Sequence, residues 1–135
     1  MPKNKRTVLI VDDDLGMIKI LEKWLTVAGY RVIPASKGEL AVRRAAEEKP
    51  DIILLDVLMP EMNGHEVAKK LGENPETTDI PVIFITVCVD LENDKGFETI
   101  EVDGVQYRAF AKPLHNARLL STMRKEINKR IHGNK

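Results

Sequence analysis

The sequence contains one cysteine, no long apolar run and no excess of charge of either sign. Cys88 alone cannot form an internal disulfide or a cysteine-based zinc site, and a single thiol fits a reducing compartment. No apolar run approaches the roughly 20 residues that a membrane-spanning helix needs, and the first residues include no apolar segment of the signal-peptide type. We therefore expect a cytoplasmic protein without membrane contact.

The charges are balanced, because lysine plus arginine and aspartate plus glutamate both number 21. A formal net charge of zero gives no electrostatic footprint for nucleic acid. The basic side chains near the C-terminus include Glu126 among them and have no aromatic residues between them, which favours a solvated helix face or a partner interface. Direct nucleic-acid binding is therefore not expected.

The length and composition predict a single domain. Of 135 residues, 43% are apolar, which is enough to bury one core without disulfides. There is no low-complexity segment, internal repeat or interdomain linker. We expect one domain over 1–135, with its core at 6–132 and no second folded unit.

Short apolar and β-branched runs alternate with stretches in which apolar residues follow helical spacing. The runs predict strands at 7–11, 30–35, 52–55 and 80–86 and a fifth strand that ends at Lys112. Helices are predicted at 15–28, 36–49, 64–71 and 115–132, and a short or distorted fourth helix at 90–98. This alternation predicts an α/β fold, a doubly wound parallel sheet with right-handed crossovers and helices on both faces.

Local signals refine some of these boundaries. Gly29 and Gly72 are placed to close helices, and Ser36 with Glu39 has the spacing of a capping box. Residues 99–110 alternate around Asp103-Gly104, a dipeptide that favours two-residue hairpin turns. We therefore predict a β-hairpin or an extended loop ahead of the fifth strand.

Polar residues follow the predicted strands at their carboxyl ends, where open parallel sheets bind ligands. They are Asp12 and Asp13 after the first strand, Asp56 after the third, Thr86 after the fourth and Lys112 after the fifth. Three converging carboxylates repel one another unless a cation is bound, and Mg²⁺ takes few carboxylates while leaving positions for phosphate oxygens. A lysine and a hydroxyl can contact the same phosphate. This pattern predicts phosphoryl transfer onto Asp56.

The same residues lie in stretches that resemble the receiver domain of two-component response regulators, especially the single-domain kind. The matching stretches are VLIVDDD, LLDVLMPEMNG, FIT and AKP, and the resemblance covers nearly the whole chain. It implies a flavodoxin-like, five-stranded parallel sheet in the order 2-1-3-4-5. It also implies a phosphoacceptor regulatory domain rather than an enzyme, with no output domain in this chain.

The resemblance assigns roles to the site residues. Asp56 would accept phosphate from a histidine kinase or phosphotransfer protein, and Lys112 would pair with the phosphoryl group. Mg²⁺ would be held by Asp13, Asp56 and the backbone carbonyl of Leu58, with Asp12 acting through a water. Thr86 would carry the switch to the surface of the fourth helix, fifth strand and fifth helix, through which the chain would bind an unnamed downstream protein or dimerise.

Some positions depart from the family pattern. Val87 is bulky where a small residue is usual, and Ala109 occupies the aromatic switch position, since Tyr107 and Phe110 do not match its spacing. Leu58 and Cys88 occupy positions that tune the dephosphorylating water, and neither positions water well. We therefore expect slow self-dephosphorylation.

Two other functions fit parts of the sequence. Val87 and Ala109 are compatible with a receiver-like scaffold that no longer switches. Asp12 and Asp14, two residues apart after a strand, match an aspartyl-phosphate hydrolase of the haloacid dehalogenase type, with Asp12 as nucleophile and Asp14 as acid/base. Against the hydrolase, no acidic pair follows Lys112 and the Asp56 loop would have no role.

Overall fold

The computed structural model describes residues 5–86, 98–102, 104–111 and 116–133. The strands are β1 (Thr7–Val11), β2 (Arg31–Ala35), β3 (Ile52–Asp56), β4 (Val82–Thr86), β5 (Glu98–Val102) and β6 (Val105–Ala111). The helices are α1 (Leu15–Val27), α2 (Gly38–Glu48), α3 (Gly64–Glu73) and α4 (Asn116–Gly133). The predicted fifth strand corresponds to β6 and the predicted fifth helix to α4.

The sheet has the order β2-β1-β3-β4-β6-β5. Strands β1, β2, β3, β4 and β6 pair in parallel, which confirms the predicted order 2-1-3-4-5. Strand β5 pairs antiparallel with β6 and adds a sixth strand at the edge. The predicted hairpin is confirmed: Val102 pairs with Val105, and Gly104 has a φ of +83°, a backbone conformation that glycine adopts without strain.

The predicted fourth helix lies almost entirely outside the described residues. Its last predicted residue, Glu98, instead begins β5. The strand position follows from the hairpin, because pairing across the turn places Glu98 opposite Ala109 in the ladder.

Strand β3 lies at the centre and is buried on both faces. Ile53 and Leu55 pack in the cluster with α2 and α3, whereas Ile52 and Leu54 pack in the cluster with α1 and α4. All four are fully buried, as the uninterrupted apolar run predicts. The end of β3 is therefore held rigidly between two helical layers.

Two predicted helix boundaries are wrong. Helix α2 begins at Gly38, with Lys37 as its N-cap and no side-chain cap, so Ser36 does not form the expected capping box. Gly38 packs closely on Met62, since a Cβ built on Gly38 would lie 2.9 Å from the Cβ of Met62. Helix α3 continues past Gly72 to Glu73, and the buried Thr77 hydroxyl donates to the Leu71 carbonyl in its last turn at 2.7 Å.

The prediction at Gly29 is confirmed. This residue has a φ of +101° directly after the C-cap of α1, and the Tyr30 amide donates to the Leu25 carbonyl at 2.9 Å. A left-handed glycine closes the helix and turns the chain into β2. Among the described residues, no helix has the length and apolar character needed to cross a membrane.

Candidate phosphoacceptor site

Three carboxylates meet beyond the carboxyl ends of β1 and β3. One oxygen from each of Asp12, Asp13 and Asp56 lies within 4.8 Å of the others. Asp12 is fully buried, Asp56 is 4% exposed and Asp13 is exposed. The cluster thus has two carboxylates set into the protein and one that faces solvent.

The turn after β1 fixes the orientation of Asp12. Its backbone amide donates to the Ala35 carbonyl at 3.1 Å, and its carboxylate accepts the Asp14 amide at 3.0 Å. This second bond closes a local turn in which an aspartate side chain binds the backbone two residues on. The buried carboxylate is therefore held in one place.

Asp14 caps helix α1, unlike Asp12 and Asp13, which belong to the carboxylate cluster. Its carboxylate accepts the amides of Gly16 and Met17 at 2.9 and 3.2 Å, which caps the first turn of α1. A capping aspartate satisfies helix amides that would otherwise lack a partner. Among the described residues, the carboxylate cluster does not include Asp14.

Asp56 is the last residue of β3 and pairs in register with Ile85 of β4. Its carboxylate accepts the Leu58 amide at 3.4 Å, which is a long hydrogen bond. The Leu58 side chain is 51% exposed, so it lies at the rim of the site.

The loop after Asp56 returns to the strand at Gly64, the first residue of α3. The Gly64 amide donates to the Val57 carbonyl at 2.9 Å, and a Cβ on Gly64 would lie 2.4 Å from the Asp56 carbonyl oxygen. Only glycine allows so close an approach. Asn63 and Glu66 form a reciprocal capping box, with both bonds at 3.0 Å.

Neither the Gly64 contact nor the Asn63–Glu66 capping box was predicted from the sequence. The spacing Asn63-x-x-Glu66 is the same signal that was assigned to Ser36 and Glu39, so it was available in the sequence. The contact between Gly64 and the Asp56 backbone joins a helix to a strand, and no local pattern indicates it.

The remaining predicted residues belong to neighbouring strand ends. Thr86 is the last residue of β4 and pairs in register with Ala111, which directly precedes Lys112 in the sequence. The Thr86 side chain, together with Val87, Cys88 and Lys112, lies outside the described residues. Their roles, and that of the Leu58 carbonyl, stay predictions.

Ala109, which the resemblance places at the aromatic switch position, is fully buried. Ala109 pairs in register with Phe84, whose ring makes edge-on contacts with Tyr107 and His65 at centroid distances of 5.5 and 5.8 Å. Tyr107 lies two residues before Ala109, so both side chains project from the same face of β6. The aromatic group on this face is thus displaced along the strand.

The donor set fits a hard divalent cation. Carboxylate oxygens are the ligands that Mg²⁺ prefers, and a site with one exposed side leaves positions for water and for phosphate oxygens. Without a cation, three carboxylates at this distance repel one another. The cluster can therefore bind a cation and use it to attract a phosphoryl group.

Residues 8–124 match the family described as the response regulator receiver domain. The chain belongs to this family. It is a phosphoacceptor regulatory module rather than a catalytic enzyme, which removes the dehalogenase-type hydrolase from consideration.

Curated relatives are consistent with this membership. The receiver is 37% identical over 124 residues to the alkaline phosphatase synthesis transcriptional regulatory protein PhoP of Bacillus subtilis. It is 32% identical over 128 residues to a probable transcriptional regulator of Cyanophora paradoxa. The match covers 90% and 95% of this chain but only 50% and 52% of those proteins. The chain thus spans about half the length of these relatives.

Solved receiver structures share the fold. The receiver domain of a sensor histidine kinase from Pseudomonas aeruginosa PAO1, with a magnesium ion in its active-site cleft, has a TM-score of 0.79 and 25% identity, covering 93% of this chain and 99% of that one. A receiver domain of a modulated diguanylate cyclase from Desulfovibrio desulfuricans G20, described as an example of alternate folding, has a TM-score of 0.75 and 29% identity, covering 97% and 100%.

Proposed function

We propose that this receiver is a phosphorylation-dependent signalling switch of a cytoplasmic two-component phosphorelay. Asp56 accepts a phosphoryl group from a histidine kinase or phosphotransfer protein, and the modified domain changes its protein-binding surface. The observation that carries the proposal is the cluster of Asp12, Asp13 and Asp56 within 4.8 Å. Family membership supports a histidine kinase as the class of donor.

The chemistry is a single displacement at phosphorus. A carboxylate oxygen of Asp56 attacks the phosphorus of a phosphohistidine, so that an O–P bond forms while the N–P bond breaks. The imidazole nitrogen takes the electron pair and then a proton from solvent. Asp56 is suited to attack because it lies at the buried end of β3, with its carboxylate beside those of Asp12 and Asp13.

Asp12 and Asp13 would hold Mg²⁺ together with Asp56 and the Leu58 carbonyl. Bound there, the ion supplies neutralisation of the negative charge that spreads over the phosphoryl oxygens. Lys112 adds a point charge to the phosphoryl group, and the Thr86 hydroxyl donates to one of its oxygens. The last residues of β4 and β6, Thr86 and Ala111, are neighbours in the sheet, which supports a joint role for Thr86 and Lys112.

A receiver-like scaffold that no longer switches is the second candidate. The burial of Ala109 opposite Phe84 favours it, because the position expected to carry a mobile aromatic ring has no ring to move. Phosphorylation changes a surface only if its free energy differs between two states. Backbone spectra of β5, β6 and α4 that are identical before and after phosphorylation would establish the scaffold.

Mass spectrometry after treatment with a small phosphodonor tests the proposal directly. We expect one added phosphate at Asp56 in the presence of Mg²⁺, and none with a chelator or in Asp56→Asn. Asp51→Asn is a control directly before β3, and Asp14→Asn keeps the helix cap while removing a neighbouring carboxylate. Labelling that survives Asp56→Asn would refute the assignment of Asp56 as the phosphoacceptor.

We also expect the phosphorylated domain to lose its phosphate slowly, because Leu58 has no polar group to position the attacking water. A half-life of seconds for the phosphoryl group in Mg²⁺ buffer would contradict this expectation.

A further inference from the structure

A polar cavity lies at the opposite end of the sheet from the carboxylate cluster. It has a volume of about 270 Å³, and its lining includes Arg6 ahead of β1, Tyr30 ahead of β2, and Arg124, Ile127 and Asn128 on α4. The carboxylate cluster follows the carboxyl end of β1, whereas Arg6 precedes its amino end. The cavity is therefore separate from the phosphoacceptor site.

The cavity has an excess of positive charge. Two of the described lining residues, Arg6 and Arg124, are cationic and none is acidic. Arg124 is exposed and forms no ion pair within the part of the chain that the structure describes. A guanidinium with no carboxylate partner is available to an incoming anion.

The carboxylate of Asp51 offsets this charge only in part, because it lies outside the cavity lining and makes a long ion pair with Arg6. Asp51 approaches Arg6 at 3.9 Å, which is longer than the roughly 2.7–2.9 Å of a charge-assisted hydrogen bond. The second oxygen of Asp51 accepts the Thr7 amide at 2.7 Å and is committed to the backbone. Arg6 thus keeps donors for another ligand.

Tyr30 adds a neutral donor to the cavity lining. Burial raises the pKa of its hydroxyl, while the charges of Arg124 and Arg6 lower it and Asp51 raises it further. The hydroxyl therefore keeps its proton at neutral pH. Among the described residues, it has no side-chain hydrogen-bond partner. The Asn128 side chain supplies an amide donor on the same wall.

We propose that this cavity binds a phosphate group, either as inorganic phosphate or as the phosphate of a small phosphomonoester. Donors from three separate segments suit a tetrahedral anion with several oxygens better than a planar carboxylate with two. The volume is also below the roughly 300–1,000 Å³ of pockets for drug-sized ligands, so a compact anion fits. The last amides of α1, at Ala28 and Gly29, are bonded within the helix end, so the side chains supply the donors.

The test is an NMR titration of the full chain with inorganic phosphate, and in parallel with glycerol phosphate, in a chelator. Without a divalent cation the carboxylate cluster repels anions, so the two sites are distinguishable. We expect saturable shift changes at Gly29, Tyr30, Arg124 and Asn128 and none at Asp56 or Leu58. Tighter binding of one compound identifies whether the free anion or the monoester is preferred.

Matched variants distinguish specific phosphate binding in the cavity from non-specific attraction to the positive charge of α4. Arg124→Gln should weaken binding about tenfold, the cost of one charged hydrogen bond. Lys125→Gln removes the same charge from the next residue of α4, which does not line the cavity, and should leave binding unchanged. Tyr30→Phe should weaken it less than Arg124→Gln. Absence of saturable shifts at the cavity, or equal loss in Arg124→Gln and Lys125→Gln, would overturn the proposal.

Discussion

Gly64 and Asp56 are in backbone contact, and the contact leaves no room for a side chain. A Cβ on Gly64 would lie 2.4 Å from the Asp56 carbonyl oxygen and 2.9 Å from the Cα of Val57. The Gly64 amide also donates to the Val57 carbonyl at 2.9 Å. The first turn of α3 is therefore fixed against Asp56, the proposed phosphoacceptor.

Replacing Gly64 with alanine should disturb both stability and chemistry. The methyl group must push α3 away from β3, and overpacking of this kind costs about 1–3 kcal/mol. Because the displaced atoms belong to Asp56 itself, we also expect slower phosphorylation by a small phosphodonor. Urea unfolding measures the first effect, and the rate of label incorporation measures the second.

Gly72 provides the matched control on the same helix. No described atom lies within 4 Å of a Cβ built there, and the residue is exposed. Gly72→Ala should therefore stabilise the protein by about 0.4–1 kcal/mol and leave phosphorylation unchanged. Equal effects of the two substitutions would show that the contact at Gly64 is unimportant.

The sheet and the carboxylate cluster could be predicted because each depends on a pattern within short segments. Continuous apolar runs mark strands that are buried on both faces, and strand ends in a parallel sheet meet at one edge. Asp12, Asp13 and Asp56 come together for that reason. The residues that precede Lys112 were also placed correctly, because alternation around Gly104 marks a hairpin.

Features that depend on contacts between distant segments could not be predicted. The capping-box spacing occurs at both Ser36 and Asn63, and only Asn63 forms the box. In α2 the N-cap is Lys37, and the helix begins at Gly38, which packs against Met62 of a distant segment. The position of Tyr107 relative to Phe84 likewise depends on the register between β4 and β6, which sequence spacing alone does not give.

Mg²⁺ should stabilise the receiver through the carboxylate cluster. At a concentration ten times its dissociation constant, a ligand that binds only the folded state adds about 1.4 kcal/mol. Asp13→Asn should be more stable than the wild type in a chelator, because one repelling charge is gone, and should lose most of the Mg²⁺ effect. Thermal unfolding with and without the ion measures both.

Asp14→Asn is the control for that experiment. Asparagine caps helices as well as aspartate, so α1 should be retained, and the carboxylate cluster is left intact. The Mg²⁺-induced rise in melting temperature should therefore match the wild type. A full rise in Asp13→Asn would exclude that residue from the cation site.

The capping box at the start of α3 should contribute measurably to stability. Asn63→Ala removes the acceptor for the Glu66 amide and should cost about 0.5–2 kcal/mol. Asn63→Ser keeps a capping oxygen and should cost much less. Chemical denaturation of the three proteins ranks them, and a wild-type midpoint for Asn63→Ala would contradict the role of the cap.

The contact between Phe84 and Tyr107 should appear as a coupling energy. Their rings meet edge to face, with centroids 5.5 Å apart and an interplanar angle of 87°. Such pairs contribute about 0.5–1.5 kcal/mol beyond their buried area. A double-mutant cycle with Phe84→Leu and Tyr107→Leu isolates this energy, because other contacts of each side chain cancel. Additive free energies would mean that the rings do not interact.

Tyr30 should make stability depend on alkaline pH. Its pKa in the folded protein is raised above 10.0, chiefly by burial, whereas the unfolded chain releases the proton near that value. Between these two pKa values the unfolded state binds fewer protons than the folded state, so the free energy of unfolding falls as pH rises. Stability from this group is fully present below about pH 10 and is lost as pH rises towards the folded pKa. Tyr30→Phe cannot ionise, so the difference in unfolding free energy between wild type and variant should shrink or reverse over that range. Urea unfolding at a series of alkaline pH values measures this difference, and parallel profiles for the two proteins would mean that the Tyr30 hydroxyl titrates like one in the unfolded chain.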